Sequence, residues 1–360
     1  MNDQMTNDQV TNDQVTNDQT TNDQTTNSRT MNDRTMNRTT NDRTMKAVLF
    51  DRFGGPEVLY VGRVPRPAPA PGEVLVRVRA FSVNGGELAA RSGRARLITG
   101  RRFPQRMGLD FTGEVAALGT GATGVAVGDQ VWGVLGRTSG FGSAAEYLTV
   151  RPERLGRIPD GLDPVAAAAL PVATTAVTAL RDRAALRPGE QLLVRGAAGG
   201  VGNAAVQLGQ AYGAEVTGLA RAANLDFVRT LGAHHAVDHH AVPLAELGPF
   251  DVVLDTAGTD LRTVRRLLKP GGRMVTIAVD LTRPVASLGY IAASAVHGRG
   301  RVRFFSGNPG RAHFDDLARQ VTEGRLRPAV DTVFPLEETA AAHRALEAGG
   351  VRGKYVVRVD

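Results

Sequence analysis

Residues 192–202 read LLVRGAAGGVG, an apolar stretch that runs into a cluster of glycines. The pattern predicts a β-strand, a tight turn and then a helix over Asn203–Tyr212. Gly199 allows the backbone to approach a pyrophosphate, Gly202 lets the helix pack close to the strand, and the free N–H groups at the helix start attract phosphate. Ala197 replaces the first glycine of G-x-G-x-x-G, so the motif depends on its strand and helix context. The expected dinucleotide contacts are Ala198, Gly199, Gly200, Val201 and Gly202.

The next predicted strand, Glu215–Ala220, ends where the adenosine ribose of a bound dinucleotide is expected. An acidic residue at this place accepts a hydrogen bond from a free ribose 2′-hydroxyl but repels a 2′-phosphate. The residue here is Arg221, and Ala222–Asn224 supply no carboxylate. We therefore predict that NADPH is the cofactor and that Arg221 binds its 2′-phosphate. The alternative is that Arg221 is an ordinary solvated arginine.

The apolar pattern divides the chain into two architectures. From about residue 171 to 294, short apolar runs alternate with helical stretches, as in βαβ units with a parallel sheet. Between residue 45 and about residue 170, short alternating segments are separated by Gly and Pro, as in a small β-barrel, and residues 302–360 return to strand, helix and strand. The predicted strands are Ala47–Phe50, Glu73–Ala80, Thr112–Leu118, Gln130–Val134, Ala145–Val150, Gln191–Arg195, Glu215–Ala220, Asp251–Asp255 and Arg273–Val279.

Residues 1–44 repeat a five-residue unit of Thr, Asn, Asp and Gln, visible in Thr6–Val10 and Thr11–Val15. A segment of this composition cannot offset the conformational entropy of ordering, so we expect disorder. A far more convincing protein begins at Met45, which suggests a misassigned start codon.

Composition excludes several classes of protein. The 360 residues contain no cysteine, which rules out disulfides, thiolate nucleophiles and cysteine-bound zinc. The formal charge is +7, but the basic residues are almost all scattered arginines, so a nucleic-acid partner is not expected. No stretch is long and apolar enough for a membrane span, and the N-terminus lacks a secretory signal. We therefore expect a cytoplasmic protein.

Eleven short motifs occur in one order along residues 45–360, and together they resemble those of one enzyme family. That family is the medium-chain dehydrogenase/reductases, in the zinc-independent quinone oxidoreductase branch that includes zeta-crystallin. The motifs are Phe53–Val58, Pro71–Val74, Val83–Asn84, Gly108–Gly113, Val127–Val131, Ala145–Tyr147, Leu186–Glu190, Ala197–Gly202, Leu231–Ala233, Leu268–Gly272 and Gly353–Lys354.

The resemblance implies an α/β protein with two domains. These are a GroES-like β-barrel catalytic domain over residues 45–170, completed by residues 296–360, and a doubly wound Rossmann domain over residues 171–295. Zinc-using relatives carry a cysteine in the segment matching Val83–Glu87 and a Gly-His-Glu where this chain has Gly108–Asp110, so both zinc ligands are absent. His234, His235, His239 and His240 are expected in a solvated loop, and no metal site is predicted.

Without zinc to polarise a carbonyl, the resemblance implies substrates that need less Lewis-acid help, such as quinones and activated α,β-unsaturated carbonyls. Asn84 matches the family's asparagine near the nicotinamide, where its amide could donate to an oxyanion or orient the cofactor; a plain turn residue is the alternative. Arg91 could pair with a polar substrate or lie on a helix surface. Enoyl-reducing members often carry a tyrosine shortly after the asparagine, and residues 89–100 contain none.

The resemblance also implies further contacts to NADPH. Thr175 is expected near the nicotinamide ribose or the phosphates, and Lys354 near the cofactor. Gly258 and Ile277 are expected to line the nicotinamide side. Asn308 is a further candidate, with a plain turn as its alternative. Relatives often pair through the edge of the nucleotide-binding sheet, so a homodimer is expected.

Three functions follow from these observations. The first is an NADPH-dependent reductase of small quinones or enones, and the second is an enoyl reductase that tailors intermediates of secondary metabolism. The third, from another class, is a non-catalytic protein that binds NADPH or RNA.

Overall fold

The computed structural model describes residues 43–136, 140–280, 282–296 and 300–359. By its internal contacts the chain divides into a small unit, residues 1–45 with 63–66, and a large unit of residues 46–62 and 67–360. The repeat tail lies almost entirely outside the described residues, so the disorder expected there stays a prediction. In the described part of the small unit, Arg63 Nε donates to Thr44 Oγ1 at 2.9 Å. The candidate site lies in the large unit.

Sixteen strands and ten α-helices are found in the described residues. The strands are β1 Thr44–Phe50, β2 Tyr60–Pro65, β3 Val74–Ser82, β4 Gln105–Arg106, β5 Asp110–Leu118, β6 Gln130–Val134, β7 Tyr147–Val150, β8 Leu155–Arg157, β9 Gln191–Arg195, β10 Glu215–Ala220, β11 His235–Asp238, β12 Phe250–Asp255, β13 Leu268–Thr276, β14 Val302–Phe304, β15 Val330–Pro335 and β16 Lys354–Arg358. The helices are α1 Gly85–Arg91, α2 Arg96–Thr99, α3 Pro164–Ala167, α4 Ala173–Val177, α5 Gly200–Ala211, α6 Leu225–Thr230, α7 Leu261–Arg266, α8 Pro284–Ala293, α9 Arg311–Thr322 and α10 Thr339–Ala348.

The first large sheet has the strand order β15-β16-β3-β5-β6-β8, and β7 also pairs with β3. All of its pairs are antiparallel except β15 with β16. One face buries an apolar core that includes Phe81, Phe111 and Leu155. This sheet holds the C-terminal strand β16 beside β3, so a segment from the end of the sequence lies next to one from its beginning. The architecture confirms the expected GroES-like part of the fold.

The second large sheet is fully parallel, with the order β11-β10-β9-β12-β13-β14. Its inner strands are near-continuous apolar runs because helices cover both faces, and Leu192, Leu193 and Val194 of β9 are fully buried. The chain order reverses between β9 and β12, and ligands of doubly wound sheets bind at the carboxyl ends of the strands beside such a reversal. This sheet confirms the expected Rossmann part of the fold.

Five predicted strands shift by one to three residues at an end, and helix α5 spans Gly200–Ala211 rather than the predicted Asn203–Tyr212. Two further differences are larger. Strand β13 was predicted over Arg273–Val279, but it spans Leu268–Thr276 because Leu268 pairs with Phe250 before an irregularity in the register. Strand β14 pairs with β13, so the Rossmann sheet continues to Phe304, beyond the predicted limit at residue 295. The other domain limits stay predictions.

Candidate active site

The glycine-rich turn between β9 and α5 has the geometry of an anion cradle. A Cβ on Gly202 would lie 2.0 Å from Gly196 O, so the helix can start this close to the strand only with glycine there. A Cβ on Gly199 would meet nothing nearer than 3.5 Å, which leaves that side of the turn open. No side chain caps the start of the twelve-residue helix. Its first N–H groups are therefore available to phosphate oxygens, and the residues present fit a pyrophosphate.

Lys354 joins this turn to the first large sheet. Gly353 N donates to Ala198 O at 2.7 Å, and a Cβ on Gly200 would lie 2.5 Å from Lys354 Cδ. Lys354 Nζ then donates to Val83 O at 2.8 Å and to Asn84 Oδ1 at 2.6 Å. Burial lowers the pKa of Lys354, while the negative charges of Asp110 and Glu87 act to raise it. The buried amino group of Lys354 thus lies between the cradle and Asn84.

Asn84 is held by three acceptors around one nitrogen. Its Nδ2 lies 3.0 Å from Ser82 O, 3.0 Å from Glu87 Oε1 and 3.1 Å from Asp110 Oδ2. Asparagine before a helix usually caps it, but Asn84 makes no such bond to α1 because its Oδ1 faces Lys354. Both amide hydrogens therefore have acceptors within the protein.

Asp110 anchors this cluster from the neighbouring strand. The antiparallel pairing of β3 with β5 brings Ser82 and Asp110 to the same end of the sheet. Ser82 N donates to Asp110 Oδ1 at 2.8 Å, and Ser82 Oγ donates to Oδ2 at 2.6 Å. With Asp110 only 1% exposed, its charge is balanced inside the protein by these donors and by the nearby ammonium of Lys354.

Glu87 and His343 are further buried titratable groups beside this cluster. Burial raises the pKa of Glu87 to about 8, reinforced by the negative charge of Asp110. Burial lowers the pKa of His343 to about 3, reinforced by the positive charge of Arg91. Glu87 Oε2 lies 3.8 Å from His343 Nε2, and neither side chain is exposed. Burial therefore favours the uncharged form of both groups.

Arg91 is not the surface residue that the sequence analysis gave as one alternative. Its side chain is fully buried and pairs with Glu347 on α10, so it does not lie on a solvated helix surface. The spacing of four residues after Glu87 on one helix explains the position, because both side chains lie on the buried face of α1. The pairing with Glu347 favours a structural role, and the catalytic role of Arg91 stays a prediction.

Gly258 and Ile277 come together at the ends of β12 and β13. A Cβ on Gly258, whose φ is +75°, would lie 2.6 Å from the carbonyl carbon of Ala278. Gly258 N donates to Asp255 Oδ2 at 3.0 Å, and Ile277 N donates to Asp255 O at 3.1 Å. Asp255 thus fixes both segments, through its buried carboxylate at Gly258 and through its backbone carbonyl at Ile277, and the carboxylate also pairs with Arg195. The sequence analysis did not single out Asp255.

Arg221 lies at the end of β10, as the sequence predicted, and is exposed. Its Nη2 would be 2.8 Å from a Cβ on Gly349, so its guanidinium packs on the glycine turn that precedes β16. No carboxylate of the described residues pairs with it. Arg352 was not predicted but lies on the same turn, where its Nη2 donates to Ala223 O at 2.8 Å.

Thr175 and Asn308 lie on facing segments. Thr175 Oγ1 is 3.4 Å from a Cβ built on Gly307, so the loop carrying Asn308 passes close to α4. Asn308 Oδ1 accepts from Arg154 Nη1 at 2.7 Å. The cofactor roles of both residues stay predictions.

The histidines near β11 have partners within the protein. His234 Nδ1 accepts from Val216 N at 3.0 Å, and His235 lies 3.1 Å from Glu215. In the part of the chain that the structure describes, no three His, Cys, Asp or Glu residues are grouped closely enough to hold a metal ion. In the same part, no helix combines the length and apolar character needed to cross a bilayer.

The sequence analysis did not identify Glu87 and His343 as site residues, because little in the sequence predicts that their side chains lie close together. Glu87 stands three positions after Asn84, which is a usable local signal on a helix. His343 lies far along the chain in an ordinary helical pattern, and only the pairing of β16 with β3 brings α10 toward α1. Ser82 and Asp110 lay inside or beside recognised motifs without an assigned role.

Comparison with known proteins agrees with this architecture. A family model described as an alcohol dehydrogenase GroES-like domain matches residues 70–160, and one described as a zinc-binding dehydrogenase matches residues 231–357. A quinone oxidoreductase of Sus scrofa is 31% identical over 335 residues, covering 87% of this chain and 97% of that protein. A mycocerosic acid synthase-like polyketide synthase of Mycobacterium tuberculosis is 31% identical over 325 residues, covering 85% of this chain but 15% of that protein.

A solved structure of the quinone oxidoreductase from Coxiella burnetii superposes with a TM-score of 0.79 at 31% identity, covering 88% of this chain and all of that one. The family implies an oxidoreductase that uses a nicotinamide cofactor. The zinc-ligand positions carry no cysteine, and Leu109 stands in place of histidine. The chain therefore belongs to the medium-chain dehydrogenase/reductase family, in its zinc-independent quinone oxidoreductase branch.

Proposed function

We propose that the protein is an NADPH-dependent reductase of quinones and activated α,β-unsaturated carbonyls. The observation that carries this proposal is the position of Lys354, whose stem crosses Gly200 of the cradle and whose ammonium is bound to Asn84. The residues that would hold a dinucleotide and those that would face its reactive end are thereby joined by one side chain.

Each part of the cofactor has residues that suit it. The open turn with Gly199 and the start of α5 would hold the pyrophosphate, assisted by the positive charge of Lys354. The turn with Gly258 and the segment at Ile277 would line the nicotinamide, which supplies a hydride when bound in its reduced form. We keep Thr175 and Asn308 as further proposed contacts.

The remaining site residues act by orientation and charge. Asn84 has no amide hydrogen left for a substrate, so in our proposal it orients Lys354 rather than donating to an oxyanion. Lys354 Nζ has two acceptors within the protein, and in its protonated form its charge favours a developing oxyanion. No zinc is needed when the accepting carbon is already activated by conjugation.

The preference for NADPH rests on Arg221. No acidic residue occurs at positions 220–224, and the guanidinium has no carboxylate partner among the described residues. A 2′-phosphate would therefore meet an unpaired cation rather than a repelling carboxylate.

The test is NADPH oxidation by the purified full chain with quinones, enones, enoyl thioesters and, as a control, saturated ketones. Turnover with quinones or simple enones and none with saturated ketones supports the proposal. Cofactor binding without turnover on any substrate would replace it with the non-catalytic function, and salt-sensitive RNA binding would strengthen that replacement.

One comparison favours a second candidate, an enoyl reductase of secondary metabolism. The chain aligns over most of its length with a segment of a polyketide synthase. Turnover confined to enoyl thioesters would favour this candidate, whereas turnover of free quinones would favour the first.

We also propose a cytoplasmic homodimer. Strand β14 lies at the edge of the parallel sheet, where its outer backbone groups have no strand partner in the described residues, and Phe304 beside them is 39% exposed. Sedimentation velocity would test this, since a monomer at micromolar concentration would contradict it.

A further inference from the structure

Five buried polar atoms without a hydrogen-bond partner lie on three side chains between α1 and α10. They are Glu87 Oε2, Arg91 Nε, Arg91 Nη1, His343 Nδ1 and His343 Nε2. A buried polar atom without a partner costs about 1–3 kcal/mol, so five close together need an explanation. The distance of 3.8 Å between Glu87 Oε2 and His343 Nε2 indicates one, because a shift of about 1 Å would bring them into hydrogen-bond range.

The charges around this pair decide where its proton lies. On one side of the Glu87–His343 pair, the negative charge of Asp110 on β5 is balanced by the positive charge of Lys354 on β16. On the other side, Arg91 from the helix of Glu87 pairs with Glu347 from the helix of His343. An ionised Glu87 would add a second buried carboxylate beside Asp110, and a charged His343 would add a cation beside Arg91. A neutral acid facing a neutral imidazole avoids both costs.

We propose that Glu87 is a positioning residue that keeps one proton on Oε2, shared with His343 Nε2, so that Oε1 is left as the acceptor that holds Asn84 toward Lys354. The logic is that of donor and acceptor matching. A carboxylic acid has one donor oxygen and one acceptor oxygen, and Asn84 Nδ2 at 3.0 Å from Oε1 requires the acceptor. The lone pair of His343 selects Oε2 as the donor.

This arrangement reaches the proposed active site through one further bond. Asn84 Nδ2 bound to Glu87, Ser82 and Asp110 leaves Oδ1 directed at Lys354. If Glu87 loses its proton, its negative charge partly neutralises the ammonium of Lys354. The cofactor and substrate then experience less positive charge. The shared proton therefore couples a buried helix contact to the cation of the site.

The experiment compares the wild type with Glu87→Gln, Glu87→Leu and His343→Leu, and this activity arm rests on the proposed function. Glutamine reproduces the protonated acid, since Oε1 accepts from Asn84 and Nε2–H donates to His343. We expect E87Q to keep kcat and KM for NADPH at pH 7 within about twofold, because an isosteric partner restores the bonds. E87L should raise KM for NADPH about tenfold, and H343L should lie between the two.

The pH profile separates this role from a merely structural one. Wild-type kcat/KM should fall with a midpoint near pH 8, where Glu87 ionises, and E87Q should show no such limb. An E87Q enzyme as impaired as E87L at pH 7, or one that keeps the alkaline limb, would overturn the proposal.

A second measurement does not depend on activity. The pKa of Glu87 is raised from 4.5 to about 8 in the folded protein, so the folded state keeps a proton that the unfolded state releases. Wild-type stability against urea should therefore fall as pH rises from about 4.5 to 8, and the difference from E87Q should change across that window. If this difference is absent, the shared proton is refuted even in an active enzyme. If it is present in a protein that never oxidises NADPH, only the proposed function fails.

Discussion

Arg352 and Asn224 hold the turn before β16 against the end of β10. Arg352 Nε donates to Asn224 Oδ1 at 3.1 Å, and Asn224 Nδ2 donates to Gly350 O at 3.1 Å. The guanidinium of Arg221 packs on the same turn at Gly349. Arg221 and Arg352 thus meet at the strand end that faces the adenosine ribose in dinucleotide-binding folds. In the described residues, no carboxylate is bound to either side chain.

The first prediction concerns the cofactor. Arg221→Ala should weaken NADPH binding by about tenfold or more and leave NADH nearly unchanged, because only the 2′-phosphate can use the lost charge-assisted bond. Calorimetry with both cofactors measures this. Arg157→Gln, on an exposed arginine of β8 paired with Asp129, is a matched control that should change neither affinity. Equal losses for NADPH and NADH in R221A would contradict the assignment.

The second prediction contrasts two glycines of the cradle. A Cβ on Gly200 meets the flexible stem of Lys354, whereas a Cβ on Gly202 meets the backbone oxygen of Gly196. Gly202→Ala should therefore destabilise the protein by about 1–3 kcal/mol, the usual cost of overpacking. Gly200→Ala should lower stability less, but it should displace the side chain of Lys354 and so weaken NADPH binding. Urea unfolding and NADPH titration of both variants check the contrast, and a G202A protein as stable as the wild type would refute it.

Local sequence signals predicted the cradle well. Strands β9 and β10 have the predicted limits, because apolar runs bounded by turn residues leave little freedom. The glycines of the turn were recognised because their role is local: each allows close backbone contact between residues only a few positions apart in the chain.

The polar cluster was only partly predictable. Family motifs identified Asn84 and Lys354 as candidates. Arg91 and Glu347 are 256 positions apart, and no local sequence pattern predicts that they pair. Arginine and glutamate on a helix usually lie in solvent, so a local interpretation favours the surface for both. Only the packing of α10 on α1 shows that this face is buried.

The third prediction uses the pH dependence of stability. The pKa of His343 is lowered from 6.5 to about 3 by burial and by the positive charge of Arg91. Between these pH values, His343 is therefore protonated in the unfolded chain but not in the folded protein. Stability should therefore fall as pH drops from about 6.5 toward 3, by a few kcal/mol at most. His343→Gln cannot take up this proton, and its stability should fall less over the same range. Parallel curves for the wild type and H343Q, measured by urea unfolding, would show that His343 titrates normally.

The fourth prediction separates structure from catalysis at Arg91. Arg91→Met fills much of the same volume but leaves Glu347 without its partner. Because Arg91 is fully buried while Glu347 is 33% exposed, the freed carboxylate can turn to water, and the cost should lie below the roughly 3–5 kcal/mol of breaking a wholly buried pair. We expect R91M to lower the urea midpoint while KM for the quinone stays within about twofold, since the buried guanidinium of Arg91 is already paired with Glu347. Glu347→Gln is the matched control and should lower the midpoint less, because an amide oxygen still accepts from Arg91. A large rise in KM for the quinone with an unchanged urea midpoint would instead support the catalytic role of Arg91.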